Sequence, residues 1–123
     1  MPHEGNRSIT VISSLFGQLG REGRLPYSLS KHALEGAAKT LAVELGPVGI
    51  RVNSISPGFI DTKLTRKNIP QNQITKLEER IPLGALGAPE DIADAVFFLS
   101  SDKNNFVSGA NFILDGGQTS NFI

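Results

Sequence analysis

Tyr27-Ser28-Leu29-Ser30-Lys31, with Ser14 thirteen residues upstream, has the residue types and spacing of an acid–base site. Tyr27 opens a stretch with helical periodicity. Lys31 follows four positions on, so both side chains leave one face of the helix, a turn apart. A free tyrosine gives up its proton only near pH ~10. A neighbouring ammonium favours the phenolate and draws that value toward working pH, where a proton donor or acceptor is most useful. Ser14 ends the apolar run Ile9-Thr10-Val11-Ile12, which reads as a strand. It therefore stands at a strand's carboxyl end, the side of an open α/β sheet on which ligands bind. A Tyr and a Lys four apart are weak evidence by themselves, since many helices carry such a pair as a solvated face. Their neighbours supply the context.

Periodicity along the chain alternates between strand and helix. Ser8 to Ser13 is expected as a strand, and Pro26 to about Leu45 as a helix stopped by Gly46-Pro47. Leu34, Ala37, Ala38, Leu41, Ala42 and Leu45 would form its buried face, thin enough for another helix to approach closely. Ile50 to Ser56 is a second strand, followed by Pro57-Gly58. The polar stretch from Thr62 to about Arg80 suggests a short helical excursion over the site. Pro89-Glu90-Asp91 begins a helix, with proline in the first turn and carboxylates complementing the dipole. Its expected buried stripe is Ile92, Ala93, Val96, Phe97 and Leu99. Phe112 to Leu114 is the last strand, turning at Asp115-Gly116-Gly117. The pattern β-α-β-(excursion)-α-β implies parallel strands joined by right-handed crossovers.

Composition narrows the function. At 123 residues the chain suits one domain. Twelve basic and twelve acidic residues balance, and no basic stripe exists to follow a nucleic-acid backbone. No cysteine is present, which excludes disulfides and thiolate metal sites. His3 and His32 are too few for zinc, which needs three or four ligands, so His32 is expected on a helix surface. No apolar run approaches the ~20 residues of a membrane span. No signal peptide opens the sequence, and the cytoplasm is the default expectation.

The ordered set of motifs resembles the C-terminal half of a short-chain dehydrogenase/reductase, from about Ser8 to Gly117. The motifs are I-S-S-x-x-G at Ile12 to Gly17, Y-x-x-x-K at Tyr27 to Lys31, and G-I-R-V-N at Gly49 to Asn53. They continue as S-P-G-F-I-D-T at Ser56 to Thr62, G-x-P-E-D-I-A at Gly87 to Ala93, and L-D-G-G at Leu114 to Gly117. The resemblance implies a partial Rossmann-like, doubly wound α/β sheet of three parallel strands with flanking helices. It implies hydride transfer between NAD or NADP and a carbonyl or secondary alcohol. Tyr27 would be the acid–base residue, Ser14 would hold the substrate oxygen, and Lys31 would bind the nicotinamide ribose. Pro57-Gly58 would turn the chain beside the nicotinamide. Ile60 would offer backbone groups to the carboxamide, and Thr62 a hydroxyl. Asn53 is expected to be structural, and Ser13 to point away from Ser14.

The family's glycine-rich dinucleotide loop has no counterpart in residues 1–123. Gly17, Gly20 and Gly23 are spaced G-x-x-G-x-x-G, whereas a pyrophosphate turn needs G-x-G-x-x-G. Met1 to Asn6 corresponds to the helix-to-strand loop of a full-length relative, so the chain reads as the catalytic half of a longer domain. Two function classes stay open: an oxidoreductase present as its catalytic half, and a non-catalytic packing or dimerisation fragment. A homo-oligomer is expected, because the first strand would present a bare edge and the alanine-rich helix face would be uncovered. The sequence names neither the substrate nor the choice between NAD and NADP.

Overall fold

The computed structural model describes residues 5–120, so Met1 to Glu4, most of the expected entry loop, lie outside the described residues. Three strands, β1 (Arg7–Ile12), β2 (Ile50–Pro57) and β3 (Asn111–Leu114), form one sheet in the order β1-β2-β3. Both pairings are parallel: Arg7 to Ile12 align with Ile50 to Ile55, and Ser54 to Pro57 with Asn111 to Leu114. The first crossover is α1 (Leu25–Leu45). The second runs through α2 (Lys63–Asn68), α3 (Gln71–Arg80) and α4 (Pro89–Ser100). The three-stranded parallel sheet with flanking helices is the expected one.

β2 is the centre of the molecule, with Val52 through Ser56 all buried. Side chains alternate across a strand. Ser54 and Ser56 face α1, where both hydroxyls reach the Glu35 carboxylate. Arg51 and Asn53, of the other parity, reach the Leu99 carbonyl at the end of α4 and the Val107 carbonyl beyond it. The two long helices thus cover opposite faces, the doubly wound arrangement. Gly49 turns the chain from α1 into β2 at φ 77°, a left-handed backbone that glycine adopts without a Cβ penalty.

The helical stripes differ from expectation in phase. On α4, Ile92, Val96 and Leu99 follow the i, i+4, i+7 row, and Leu99 is fully buried. Phe97 falls outside that row and is 72% exposed, and Ala93 is exposed too. On α1, Ala38 is buried, and Leu34, Leu41, Ala42 and Leu45 are half-buried, but Ala37 faces out. Glu35 takes a buried place on that helix, because the strand below presents serine hydroxyls rather than apolar side chains. The excursion is two helices rather than one. Pro70, which has no backbone N–H to continue α2, precedes α3, and Ile74 anchors α3 with 1% exposure.

Candidate active site

The site forms where β1 and β2 end. Ser14 leaves β1 in extended backbone, and its Oγ accepts a hydrogen bond from the Phe16 N–H at 3.2 Å, capping the turn Leu15–Gly17. That one bond uses an acceptor lone pair; the hydroxyl proton has no acceptor among the described residues. Ser13 serves a different purpose. Its Oγ donates to the Lys31 carbonyl at 3.3 Å, pinning α1 to the strand end. The turn sits tight against the helix: a Cβ at Gly17 would lie 2.5 Å from the Ser13 Oγ and 3.0 Å from the Lys31 carbonyl oxygen. Both neighbours are fixed by their own bond, so glycine is needed here for close approach.

Tyr27 stands in the first turn of α1, 43% exposed, with its ring edge-on to Phe16 at 6.2 Å between centroids. Its hydroxyl has no hydrogen-bond partner among the described residues. The Lys31 ammonium lies 5.6 Å from the Tyr27 ring centroid and donates to the Ile12 carbonyl at 3.5 Å. One helical turn thus brings the cation against the phenol, and the strand-end carbonyl steadies it. His32 is a helix-surface residue, its Nδ1 2.8 Å from the Ser28 carbonyl oxygen.

Ser14, Tyr27 and Gly58 open into one cleft of about 570 Å³, roofed by Leu64, Ile69 and Leu77 of the excursion. Of the other expected residues, Lys31, Pro57, Ile60 and Thr62 do not line it. Pro57 closes β2 opposite Leu114. Gly58 donates its N–H to the Leu114 carbonyl, and a Cβ there would meet the Asp115 backbone at 3.0 Å. Ile60 faces a second, mostly apolar recess with Ile81, Leu86 and Leu114, and its carbonyl accepts from the Thr65 hydroxyl at 2.8 Å. Thr62 caps α2: its Oγ1 accepts from the Thr65 N–H at 3.1 Å. Its hydroxyl therefore already holds the excursion in place. Asn53 is structural, as expected: its amide donates to the Val107 carbonyl and accepts from the Ala110 N–H.

Two carboxylates are clamped by their neighbours in the segments after β2 and β3. Arg66 of α2 forms a bidentate pair with Asp61 at 2.7 and 2.9 Å. The hydrogen bond from Arg66 holds the Asp61 carboxyl below its usual range. Asp115 is subject to opposing influences. Partial burial disfavours its charge, but hydrogen bonds from the Thr119 hydroxyl and the Thr119 and Gly117 N–H groups outweigh that, and its pKa is lowered.

The sequence reading overlooked Glu35. The signal available was Ser54 and Ser56 at alternate positions of a central strand, which left two hydroxyls facing a helix with no apolar partner.

Comparison with known proteins assigns this chain to a class. A family model described as enoyl-(acyl carrier protein) reductase matches residues 1–119. The human (3R)-3-hydroxyacyl-CoA dehydrogenase is 46% identical over 110 residues, covering 89% of this chain and 42% of that protein. A 3-oxoacyl-[acyl-carrier-protein] reductase of Thermotoga maritima is 41% identical over 117 residues, 95% of this chain and 47% of the relative. Among solved structures, a 4-hydroxyisoleucine dehydrogenase complexed with NADH superposes with a TM-score of 0.89 at 38% identity, over 94% of this chain and 48% of that one. ElxO with NADP bound gives 0.84 at 34% identity, over 93% and 47%. The chain belongs to the short-chain dehydrogenase/reductase family, and it spans about half the length of these relatives. Among the described residues no helix is long and apolar enough to cross a membrane.

Proposed function

We propose that this chain carries the proton-transfer half of an NAD(P)-dependent oxidoreductase acting on a carbonyl or secondary alcohol. The observation that carries the reading is that Ser14 and Tyr27 share one cleft with both hydroxyl protons uncommitted. A carbonyl oxygen can accept from both. Tyr27 gives its proton to that oxygen during reduction, or takes one from the alcohol during oxidation. Ser14 holds the same oxygen and stabilises the negative charge that develops on it. The Lys31 cation stands a helical turn away, 5.6 Å from the ring centroid.

The residues present suit the nicotinamide end of a dinucleotide. Tyr27 and Lys31 supply donors for ribose hydroxyls. Gly58 supplies a close wall, Pro57 and the Ile60 backbone flank it along the chain, and Thr62 has a hydroxyl already oriented by its cap. When bound, such a cofactor supplies or accepts the hydride. The relatives solved with NADH and with NADP support the cofactor class and leave either dinucleotide open.

The test is Tyr27→Phe in the chain joined to a dinucleotide-binding half. Carbonyl reduction should fall by a factor of about 10²–10⁴, the usual worth of general acid catalysis. Retained turnover would sink the assignment.

A second reading has its own observation. β1 pairs only with β2 among the described strands, and Ile9 and Ile12 on it are 39% and 43% exposed. An open edge with apolar side chains favours pairing with another chain, so the isolated chain is a homo-oligomer or a packing fragment in this reading. Sedimentation velocity checks it: a sharp, concentration-independent monomer with cooperative melting would rule it out.

A further inference from the structure

The cleft that holds Ser14 and Tyr27 is charged on one side of the ledger only. Arg21, Arg24, Lys76 and Arg80 all line it, and no acidic residue among those described does. The chain as a whole is neutral, so this local excess does not follow from its composition. Nor are these cations held by carboxylates: among the described residues the ion pair present is Arg66 with Asp61. The sequence neighbours Glu22, Glu78 and Glu79 are not part of the lining.

The four come from two separate segments of the chain. Arg21 and Arg24 lie three apart in the loop before α1. Lys76 and Arg80 lie four apart on α3, one face of a helix. Arg21 rests over the Phe16 ring, 5.5 Å from its centroid, which holds the guanidinium at the wall. The two arginines also line, with Phe16 and Tyr27, a smaller recess of about 180 Å³ that adjoins the phenol. The rest of the lining mixes the apolar Phe59, Leu64, Ile69 and Leu77 with polar side chains such as Asn68 and Gln73.

A concave surface lined by one sign of charge concentrates ligands of the other. Guanidinium forks match carboxylate and phosphate oxygens in pairs. We infer that the substrate of this cleft is an amphipathic anion: a carbonyl or alcohol at Ser14 and Tyr27, an apolar body over Leu64 and Leu77, and a carboxylate or phosphate held by Arg21, Arg24, Lys76 and Arg80. The inference rests on the reading of the cleft as a carbonyl site but is tested by binding rather than turnover, so the two fail separately.

The probes are 7-oxooctanoate, 7-oxooctyl phosphate and the neutral methyl 7-oxooctanoate, titrated into the chain by calorimetry at low salt. One or both anions should bind about tenfold more tightly than the ester, the sum of several partly exposed charge contacts; which of them does so decides between carboxylate and phosphate. The advantage should shrink in 0.5 M salt. It should vanish in the variant carrying Arg21→Gln, Arg24→Gln, Lys76→Gln and Arg80→Gln, whose exposed side chains leave the core untouched. Equal affinity for ester and anions, no binding of either anion at millimolar concentration, or a preference that survives the fourfold variant would each overturn the inference. So would inorganic pyrophosphate binding as tightly as the oxo anions, because the cations would then read a dinucleotide's phosphates. If the anion preference holds while Tyr27→Phe leaves turnover intact in the joined protein, the proton-transfer assignment falls and the anion site stands.

Discussion

Polar side chains are buried against both faces of β2, and others stand at the carboxyl ends of β1 and β2; the two groups are treated differently. Behind the sheet, Asn104 is 2% exposed and uses its whole amide: Oδ1 accepts from the Phe106 and Val107 N–H groups, and Nδ2 donates to the Leu99 and Val107 carbonyls. Asn53 ties β2 to the same loop. On the other face, Ser54 donates to Glu35 at 2.8 Å, and Ser56 to Asn111 at 2.9 Å. At the strand ends, Ser14 makes one local bond through a lone pair, and the Tyr27 hydroxyl makes none among the described residues. Buried polar groups without partners are costly. Most groups buried against the sheet are therefore consumed in holding it, Thr10 Oγ1 and Asn111 Nδ2 being buried without a partner among the described residues, and the strand-end hydroxyls, opening into a cleft, keep capacity for a ligand. Identity as Ser, Asn or Tyr does not separate the two roles. Uncommitted hydrogen-bonding capacity beside open space does.

Stability measurements can break this contrast. The largest effect should come from Asn104→Ala, which orphans the Phe106 and Val107 N–H groups beneath the α4–β3 loop and leaves the Leu99 and Val107 carbonyls to Arg51 and Asn53 alone. A loss of about 2–4 kcal/mol in chemical denaturation is expected; a change within experimental scatter would mean that the network contributes nothing. Gly58→Ala comes next. Its Cβ would press on the Asp115 backbone at 3.0 Å, where no flexible side-chain end can yield. Overpacking of this kind costs about 1–3 kcal/mol, and it should displace the strand end that borders the cleft, so a crystal structure unchanged at Asp115 would contradict it.

The acid limb offers a subtler readout. Asp115 has a lowered folded-state pKa, so its contribution is present above the unfolded carboxyl value near pH ~4 and is lost as pH falls through the folded value. Asp115→Asn should flatten the decline of stability below about pH 4, an effect of well under ~1 kcal/mol for so open a group. An unchanged acid limb would show that the Thr119 and Gly117 bonds do not favour the charged form. Smallest of all should be the stability change in Tyr27→Phe, within about 0.5 kcal/mol, because the hydroxyl removed bonds nothing among the described residues. A large loss there would place Tyr27 with the structural group and undo the comparison.

Much of this molecule was legible before folding. Periodicity located three strands and the long helices to within a residue or two, since the runs are short and bounded and Gly46-Pro47 must end α1. The Tyr27/Lys31 pairing followed from helical geometry alone, because four positions along one helix face are neighbours whatever surrounds them. The ordered motifs gave the family. Other features depended on contacts between segments far apart in the chain. The division of the excursion at Pro70 and the phase of the α4 stripe were set by which side chains the sheet could receive; Phe97 is apolar but out of row, and it stays exposed. Glu35 could be buried only because Ser54 and Ser56, nineteen and twenty-one positions away, supply hydroxyls on the facing strand. Thr62 became a cap, and Ile60 turned to a different recess from Ser14, through the local path of the chain after Gly58. The gathering of Arg21, Arg24, Lys76 and Arg80 around one cleft is likewise invisible in a sequence whose charges balance. Local spacing fixes what neighbours on one helix or strand can do together; only the packed chain decides which distant groups share a surface, and so which hydroxyls and cations remain free to meet a ligand.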